Sequence, residues 1–426
     1  MNRLLYSAAW WLGMPLVLGR LWWRGRREPG YRAHLGERFS FYPAAAPRER
    51  IWVHAVSVGE TRAAEPLIDA LLAARPQAQI LLTHMTPTGR ATGKALFGRH
   101  GERVLQAYLP YDTGLMAARF LRHFQPRLCI LMETEVWPNL VAACRRAAVP
   151  VALVNARLSA KSLRQGLRYG GLMRDAAGAI DLVAAQTAAD AERIGQLGAR
   201  QIHITGSLKF DVRVPPAALE TGAWLRAQIG SRPVFLCAST REGEEALILD
   251  AFVQALPALG EALLMIVPRH PQRFDEVERL ISARGLRVQR RSRLPAAQDG
   301  VQVLLGDSMG EMFAYYAACD CAFIGGSLLP LGGQNLIEAC ALGKPVLIGE
   351  HTFNFAQVTE DALAAGAAVR VDGAAELMAQ AVRLVQDHAA RQAMGAAAQG
   401  FANQHRGATA RTLDLLMPFL GGVHTS

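Results

Sequence analysis

Cysteine is sparse in this 426-residue chain: there are six, Cys129, Cys144, Cys237, Cys319, Cys321 and Cys340, and they lie mostly in apolar runs. They form neither a CxxC pair nor a Cys/His spacing suited to a metal. A disulfide framework and a structural zinc site are therefore poor readings, and reduced, buried thiols in a cytosolic compartment fit better. Other signatures are missing too. No GxGxxG opens the first half of the chain, which weakens a dehydrogenase reading. The segment Gly89-Arg90-Ala91-Thr92-Gly93-Lys94-Ala95 is one residue short of a P-loop and lacks the hydroxyl that would hold magnesium, so it reads as a helix start. No Asp-x-Asp pair is present to hold a divalent ion against a diphosphate. His54, His84, His203, His270 and His351 stand singly, so a structural or hydrogen-bonding role suits each better than metal ligation.

What is present is apolar and basic. With 51% hydrophobic and 19% charged residues the chain is a folded protein, and its length exceeds what one core usually organises, so two domains are expected. The formal net charge of +10 calls for an anionic partner. Nucleic acid explains it poorly, since no recognition motif or basic run with interleaved aromatics occurs. Residues Leu4 to Trp23 are apolar apart from Arg20 and a few small or polar residues, and Arg24, Arg26 and Arg27 follow at once. The segment has about the length of one membrane span, with arginines that would hold the rest of the chain on the cytoplasmic side. Trp10, Trp11, Trp22 and Trp23 equally suit a helix lying in the interface, and an apolar helix docked on the protein itself is the third reading.

Beyond residue 50, short apolar or β-branched runs alternate with helix-patterned stretches. Strands are expected near 51–56, 79–84, 104–109, 127–132, 150–154, 181–185 and 201–205, then near 233–238, 262–267, 301–305, 321–325 and 345–348. This rhythm predicts two doubly wound α/β domains on either side of a cleft. Pro215-Pro216 marks a linker between them, and a last helix near 406–418 crosses back toward the first domain. The expected division is an anchor over 1–24, a first Rossmann-like domain over 25–211, a linker over 212–217, a second Rossmann-like domain over 218–404 and a C-terminal helix over 405–426.

In open α/β sheets, ligands bind outside the carboxyl ends of the strands. Glu60 follows the first strand at a helix start, where a carboxylate serves either as an acid or base or merely as a complement to the helix dipole. Glu133 ends the 127–132 run on the same rim, and Lys209 stands at the last strand end before the linker. In the second half, polar or glycine-bearing loops end the strands: Ser239 to Glu244, Pro268-Arg269-His270-Pro271, Gly306 to Glu311, Gly325-Gly326-Ser327 and Gly332 to Glu338. Their convergence suits a nucleotide or another anion held by backbone N–H groups at helix starts.

Several of these segments carry a resemblance. His54-Ala55-Val56-Ser57-Val58-Gly59-Glu60, Thr86-Pro87-Thr88-Gly89, Met132 to Asn139, Asn155-Ala156-Arg157-Leu158-Ser159 and Gly206 to Asp211 are similar to segments of the 3-deoxy-D-manno-octulosonic acid (Kdo) transferases of lipopolysaccharide synthesis. So are Pro268 to Pro271, Gly325 to Leu328, Gly332 to Asn335 and His351 to Phe355. The chain departs from the family pattern at Ala339 and Glu350, where a proline is common. The resemblance implies a GT-B glycosyltransferase at the cytoplasmic side of the bacterial inner membrane. It would move Kdo from CMP-Kdo to the lipid A precursor, with inversion and with no metal or cofactor. It further implies that Glu60 accepts the proton of the attacking hydroxyl and that Glu133 and Lys209 stabilise the transition state. CMP contacts would fall on Pro268, Arg269, Met309, Gly310, Glu311, Asn335, Leu336, Ile337 and Glu338. A lipid A disaccharide synthase, a UDP-sugar epimerase and a non-catalytic nucleotide-binding module are the alternatives.

Overall fold

The structure, a computed structural model, describes residues 3–44, 46, 48–295 and 300–421. Residues 1–2 of the expected anchor and 422–426 of the expected C-terminal segment lie outside the described residues. Among the described residues, fourteen strands form two seven-stranded sheets, every pairing of which is parallel. The chain divides into two compact units. One comprises the described residues of Met1–Val212 together with those of Arg406–Ser426, and the other is Arg213–His405.

The first sheet contains β1 (Arg50–His54), β2 (Gln79–His84), β3 (Val104–Tyr108), β4 (Pro126–Met132), β5 (Val151–Ala156), β6 (Leu182–Ala185) and β7 (Ile202–Ile204). Their order is β3-β2-β1-β4-β5-β6-β7, so successive connections diverge at the boundary between β1 and β4. Side chains of alternating parity explain the two covered faces. Ile51 and Val53 join one core with Leu67, Leu71 and Leu182, while Trp52 joins another with Phe120, Leu140 and Val183. Strands buried on both faces need continuous apolar runs, and these runs made the inner strands β1, β2, β4, β5 and β6 legible in the sequence; the edges β3 and β7 are only partly buried.

The second sheet contains β8 (Val234–Thr240), β9 (Leu263–Pro268), β10 (Val288–Arg290), β11 (Val303–Leu305), β12 (Cys321–Ile324), β13 (Val346–Ile348) and β14 (Ala368–Arg370), in the order β10-β11-β9-β8-β12-β13-β14. Five of these are legible in the sequence; the edges β10 and β14 are not. β10 and β14 are three residues long and end in arginine, and a short charged edge strand has no apolar run to announce it. Pro215-Pro216 also behaves differently from an interruption: Pro215 is the N-cap and Pro216 the first residue of a helix to Ile229, a position where its missing N–H costs nothing.

Helix α1 (Arg3–Arg27) is long and apolar enough to cross a membrane, yet one stripe of it is docked. Trp10, Met14, Val17 and Leu21, spaced at four, three and four residues, pack against Phe39, Tyr111 and Met116. Trp10, expected with the other tryptophans at a bilayer interface, lies 5.6 Å from the Tyr111 ring. The opposite side exposes Leu4, Leu5, Trp11, Leu12, Leu16, Trp22 and Trp23. The last helix, Ala408–Gly421, packs on α2 (Val58–Ala74), burying Leu416 and Leu420 in the core beneath β1. Asp211 caps it by accepting from the Gly407 and Thr409 amides. All six cysteines are buried thiols.

Candidate functional site

Because β1 and β4 are neighbours whose connections run to opposite sides, the crevice at their carboxyl ends is the topological switch point of the first unit. Glu60 and Glu133 stand on its two sides. Glu60 opens α2 through a capping box: its amide donates to Ser57 Oγ at 3.4 Å, and its Oε2 accepts from the amides of Val56 (2.5 Å) and Ser57 (3.1 Å). Both bonds fall on one oxygen, and Oε1 has no hydrogen bond among the described residues. Capping and chemistry therefore do not compete at Glu60, since the cap fixes one oxygen and leaves the other for a proton. Burial, reinforced by the nearby Glu135 and Glu133 carboxylates, pushes its pKa up to about 7. A carboxylate poised near neutrality is suited to general-base work.

Glu133 follows β4 with φ +56°, an αL conformation that costs a non-glycine residue about 1–3 kcal/mol. Only 3% of its surface is exposed, and the charge is met by Lys209 Nζ at 3.0 Å from Oε1 and Arg157 Nε at 2.8 Å from Oε2. Lys209 belongs to a 3-10 turn, Leu208–Asp211, capped by Ser207. Glu135 accepts from Trp137 Nε1 at 2.8 Å, and burial raises its pKa. The structure thus gathers Glu60, Glu133 and Lys209 on one rim. Arg157 had no assigned role in the sequence analysis. Its place just past β5, on that same rim, was the available signal.

The histidines of this rim are hydrogen-bonding groups. His54 Nδ1 lies 2.9 Å from Thr83 Oγ1 and His84 Nδ1 lies 3.0 Å from the Ala55 carbonyl; burial pushes their pKa values down to about 3 and about 4, so both are neutral. Asn139 couples the rim to α1. It accepts from Ser7 Oγ at 3.1 Å, and its own amide donates to Asp112 at 3.1 Å.

The second unit places the other expected residues at the carboxyl ends of β8, β9, β11 and β12. Glu244 organises the loops around the switch point between β8 and β12. Wholly buried, it accepts from the amides of Gly326 (2.6 Å), Arg241 (2.8 Å) and Leu328 (3.0 Å). A Cβ at Gly325 would lie 2.5 Å from the Ser239 carbonyl oxygen, so only glycine lets these two chain segments touch. Pro268 closes β9, and the Arg269 amide donates to the Thr240 carbonyl at 2.9 Å, bringing the second loop against the first. Met309 and Gly310 are exposed, and Gly310 takes φ +83°. Glu311 accepts from Ser308 Oγ at 2.6 Å and pairs with Arg291 at 3.3 Å.

Asn335 Oδ1 accepts from the Ile337 amide at 3.1 Å, and its Nδ2 donates to Glu338 at 3.2 Å. The side chains of Leu336 and Ile337 are fully buried, so a ligand would meet them through backbone groups. Glu244 lies in a strand-end loop legible in the sequence but carried no role there, and Arg291 was not singled out. A buried carboxylate that clamps a loop through three amides leaves no local sequence trace.

Two doubly wound parallel α/β units in one chain, each with its polar residues at the switch point, define the GT-B class of fold. A solved structure with that architecture, the UDP-GlcNAc 2-epimerase of Neisseria meningitidis bound to UDP-GlcNAc, superposes with a TM-score of 0.59 over 87% of this chain and 100% of its own, at 15% identity. That likeness shows the fold alone. The family follows from sequence. Residues 33–212 match the model of the 3-deoxy-D-manno-octulosonic-acid transferase (kdotransferase) family. The 3-deoxy-D-manno-octulosonic acid transferase of Bordetella pertussis is 48% identical, with 99% of this chain and 100% of that one covered, and that of Haemophilus influenzae is 37% identical with 99% of each covered. The chain belongs to the Kdo transferase family.

Proposed function

We propose that the protein transfers Kdo from CMP-Kdo to the lipid A precursor, lipid IVA, releasing CMP. The observation that carries this reading is the pairing, on one rim, of a carboxylate poised near pH 7 with a buried carboxylate held between two cations. A sugar hydroxyl is a weak nucleophile. As its oxygen attacks the anomeric carbon of Kdo, Glu60 Oε1 takes its proton, an effect worth roughly 10²- to 10⁴-fold. The bond from that carbon to the CMP phosphate oxygen breaks, and CMP leaves with the electron pair. Attack opposite the leaving group inverts the centre. Glu133 faces the positive charge that grows on the sugar ring, while Lys209 answers the carboxylate that Kdo itself carries.

The donor loops of the second unit suit the CMP half. Backbone amides around Gly310 and Leu336, with the Arg269 guanidinium, offer donors to a phosphate that gains charge as it leaves. The exposed apolar side of α1 and the arginines beside it suit an enzyme that meets its lipid acceptor at the cytoplasmic face of an anionic inner membrane. The deciding experiment is direct. The purified protein is incubated with CMP-Kdo and lipid IVA, and Kdo-modified lipid is expected by mass spectrometry, in step with CMP release. CMP release without glycosylated lipid, or no turnover at all, overturns the reading.

A further inference from the structure

The carboxyl end of β5 is irregular. Its register with β6 shifts between Val154 and Ala156, and Asn155, the residue left between them, takes φ +54°. The Asn155 side chain is wholly buried. Its Oδ1 accepts from the Leu208 amide at 3.0 Å, and its backbone carbonyl accepts from Gln186 Nε2 at 2.8 Å. Its Nδ2 has no hydrogen bond among the described residues. A left-handed conformation and an unsatisfied buried amide are two local penalties at one position, and such penalties persist where the surrounding structure needs the residue.

What Asn155 holds is the stretch of chain that carries Lys209. Leu208 is the residue before it and the first of its 3-10 turn. On the other side of the irregularity, the Val154 carbonyl accepts from the Glu133 amide at 2.9 Å. The two ends of the Lys209–Glu133 ion pair are therefore tied to consecutive residues of one strand, Glu133 to Val154 and the Lys209 turn to Asn155. We propose that Asn155 is a positioning residue for transfer, which sets where the Lys209 ammonium stands relative to Glu133 by fixing the Leu208 amide. The inference rests on the roles given above to Glu133 and Lys209. Leucine or valine at this place would complete the apolar pattern of β5 but could neither adopt the turn comfortably nor accept that bond.

Glycine separates the two properties of Asn155, because it adopts positive φ freely and has no side-chain acceptor. Asn155→Gly is expected to keep the melting temperature and CMP affinity of the wild type while kcat for Kdo transfer to detergent-dispersed lipid IVA falls about 10- to 100-fold, the scale of an ångström-level misplacement. In the Lys209→Ala background the same substitution should change kcat by less than about 3-fold, since the group it positions is gone. Asn155→Asp retains an oxygen at the same place and should stay within about 5-fold of wild type, which also decides the matter should Asn155→Gly melt early.

An Asn155→Gly enzyme with wild-type kcat overturns the proposal. So does a loss that multiplies in full with that of Lys209→Ala, or an Asn155→Asp enzyme as impaired as Asn155→Gly. Failure of the underlying reading has a different sign: Lys209→Ala alone would then turn over like the wild type, whatever happens at Asn155.

Discussion

Lys209 Nζ stands 3.0 Å from Glu133 Oε1, joining a turn near residue 210 to the end of a strand more than 70 residues earlier. Glu133 is buried and Lys209 is one-fifth exposed, so the pair is screened less by solvent than a surface bridge and more than an interior one. Arg157 holds the other carboxylate oxygen at 2.8 Å. The carboxylate thus keeps one cation when the other is removed.

Replacing Lys209 by methionine is expected to lower kcat by about 10²- to 10³-fold, the usual scale for removing one transition-state charge contact. The stability cost should stay below the roughly 3–5 kcal/mol of a fully buried broken pair, because Arg157 remains. Steady-state kinetics beside a urea melt checks both. A kcat within a few-fold of wild type would take Lys209 out of the reaction.

Glu60 gives a pH signature. In the proposed mechanism its deprotonated form is the base, so kcat/KM should rise with pH through about 7 and level off above it. Glu60→Gln should abolish transfer while leaving CMP affinity near that of the wild type. It should also alter stability. A carboxyl whose folded pKa is raised binds more protons in the native state than in the unfolded state between about pH 4.3 and 7, so its contribution is present below that window and lost as pH rises through it. Glu60→Gln, which titrates nowhere in this range, should therefore melt higher than wild type at pH 8, with the difference shrinking toward pH 5. A parallel pair of melting curves across that range would contradict the raised pKa.

Arg269→Ala should weaken CMP binding by about 1.5–3 kcal/mol, the range for hydrogen bonds to charged groups. Isothermal calorimetry reads this directly. Unchanged affinity would remove the guanidinium from the donor site and leave only the Arg269 backbone, which donates to Thr240.

The docked stripe of α1 changes how the membrane should be tested. Deleting residues 1–24 would strip Trp10, Met14 and Leu21 from Tyr111, Met116 and Phe39, so a fall in melting temperature is expected along with release from vesicles. Substituting the exposed side alone, with Leu12→Glu and Leu16→Glu, should release the protein while its melting temperature holds. Sedimentation with phosphatidylglycerol vesicles separates the cases. Retention of the double variant on vesicles would mean that this side of the helix is not what meets lipid.

How much could be seen in advance depended on burial. The inner strands of the first sheet were legible because both faces are covered, which forces unbroken apolar runs such as Cys129-Ile130-Leu131-Met132, while its edges β3 and β7 were legible from β-branched or apolar residues at Val104-Leu105 and at Ile202 and Ile204. The edges β10 and β14 of the second sheet were not, since Val288-Gln289-Arg290 and Ala368-Val369-Arg370 are three residues long, end in charge and carry no apolar run. Glu60 was legible as an acid at a strand-to-helix junction. Asn155 and Glu244 were not, because a strand irregularity and a clamp on loop amides arise only when distant segments meet. The docked stripe of α1 was hidden for another reason: a helix apolar on nearly every side gives no contrast from which a buried face can be read.

The last helix, Ala408–Gly421, belongs to the unit that holds Glu60, though the whole of the other unit precedes it in the chain. During synthesis the second unit, Arg213–His405, is complete before the residues that bury Leu416 and Leu420 beneath β1 have been made. The first unit must therefore wait, with part of its core exposed to water, until residue 421 has been made. Biogenesis runs opposite to the order of the sequence: the unit begun first is the one finished last, and a stop in translation near residue 406 would leave the second unit whole and the first unfinished.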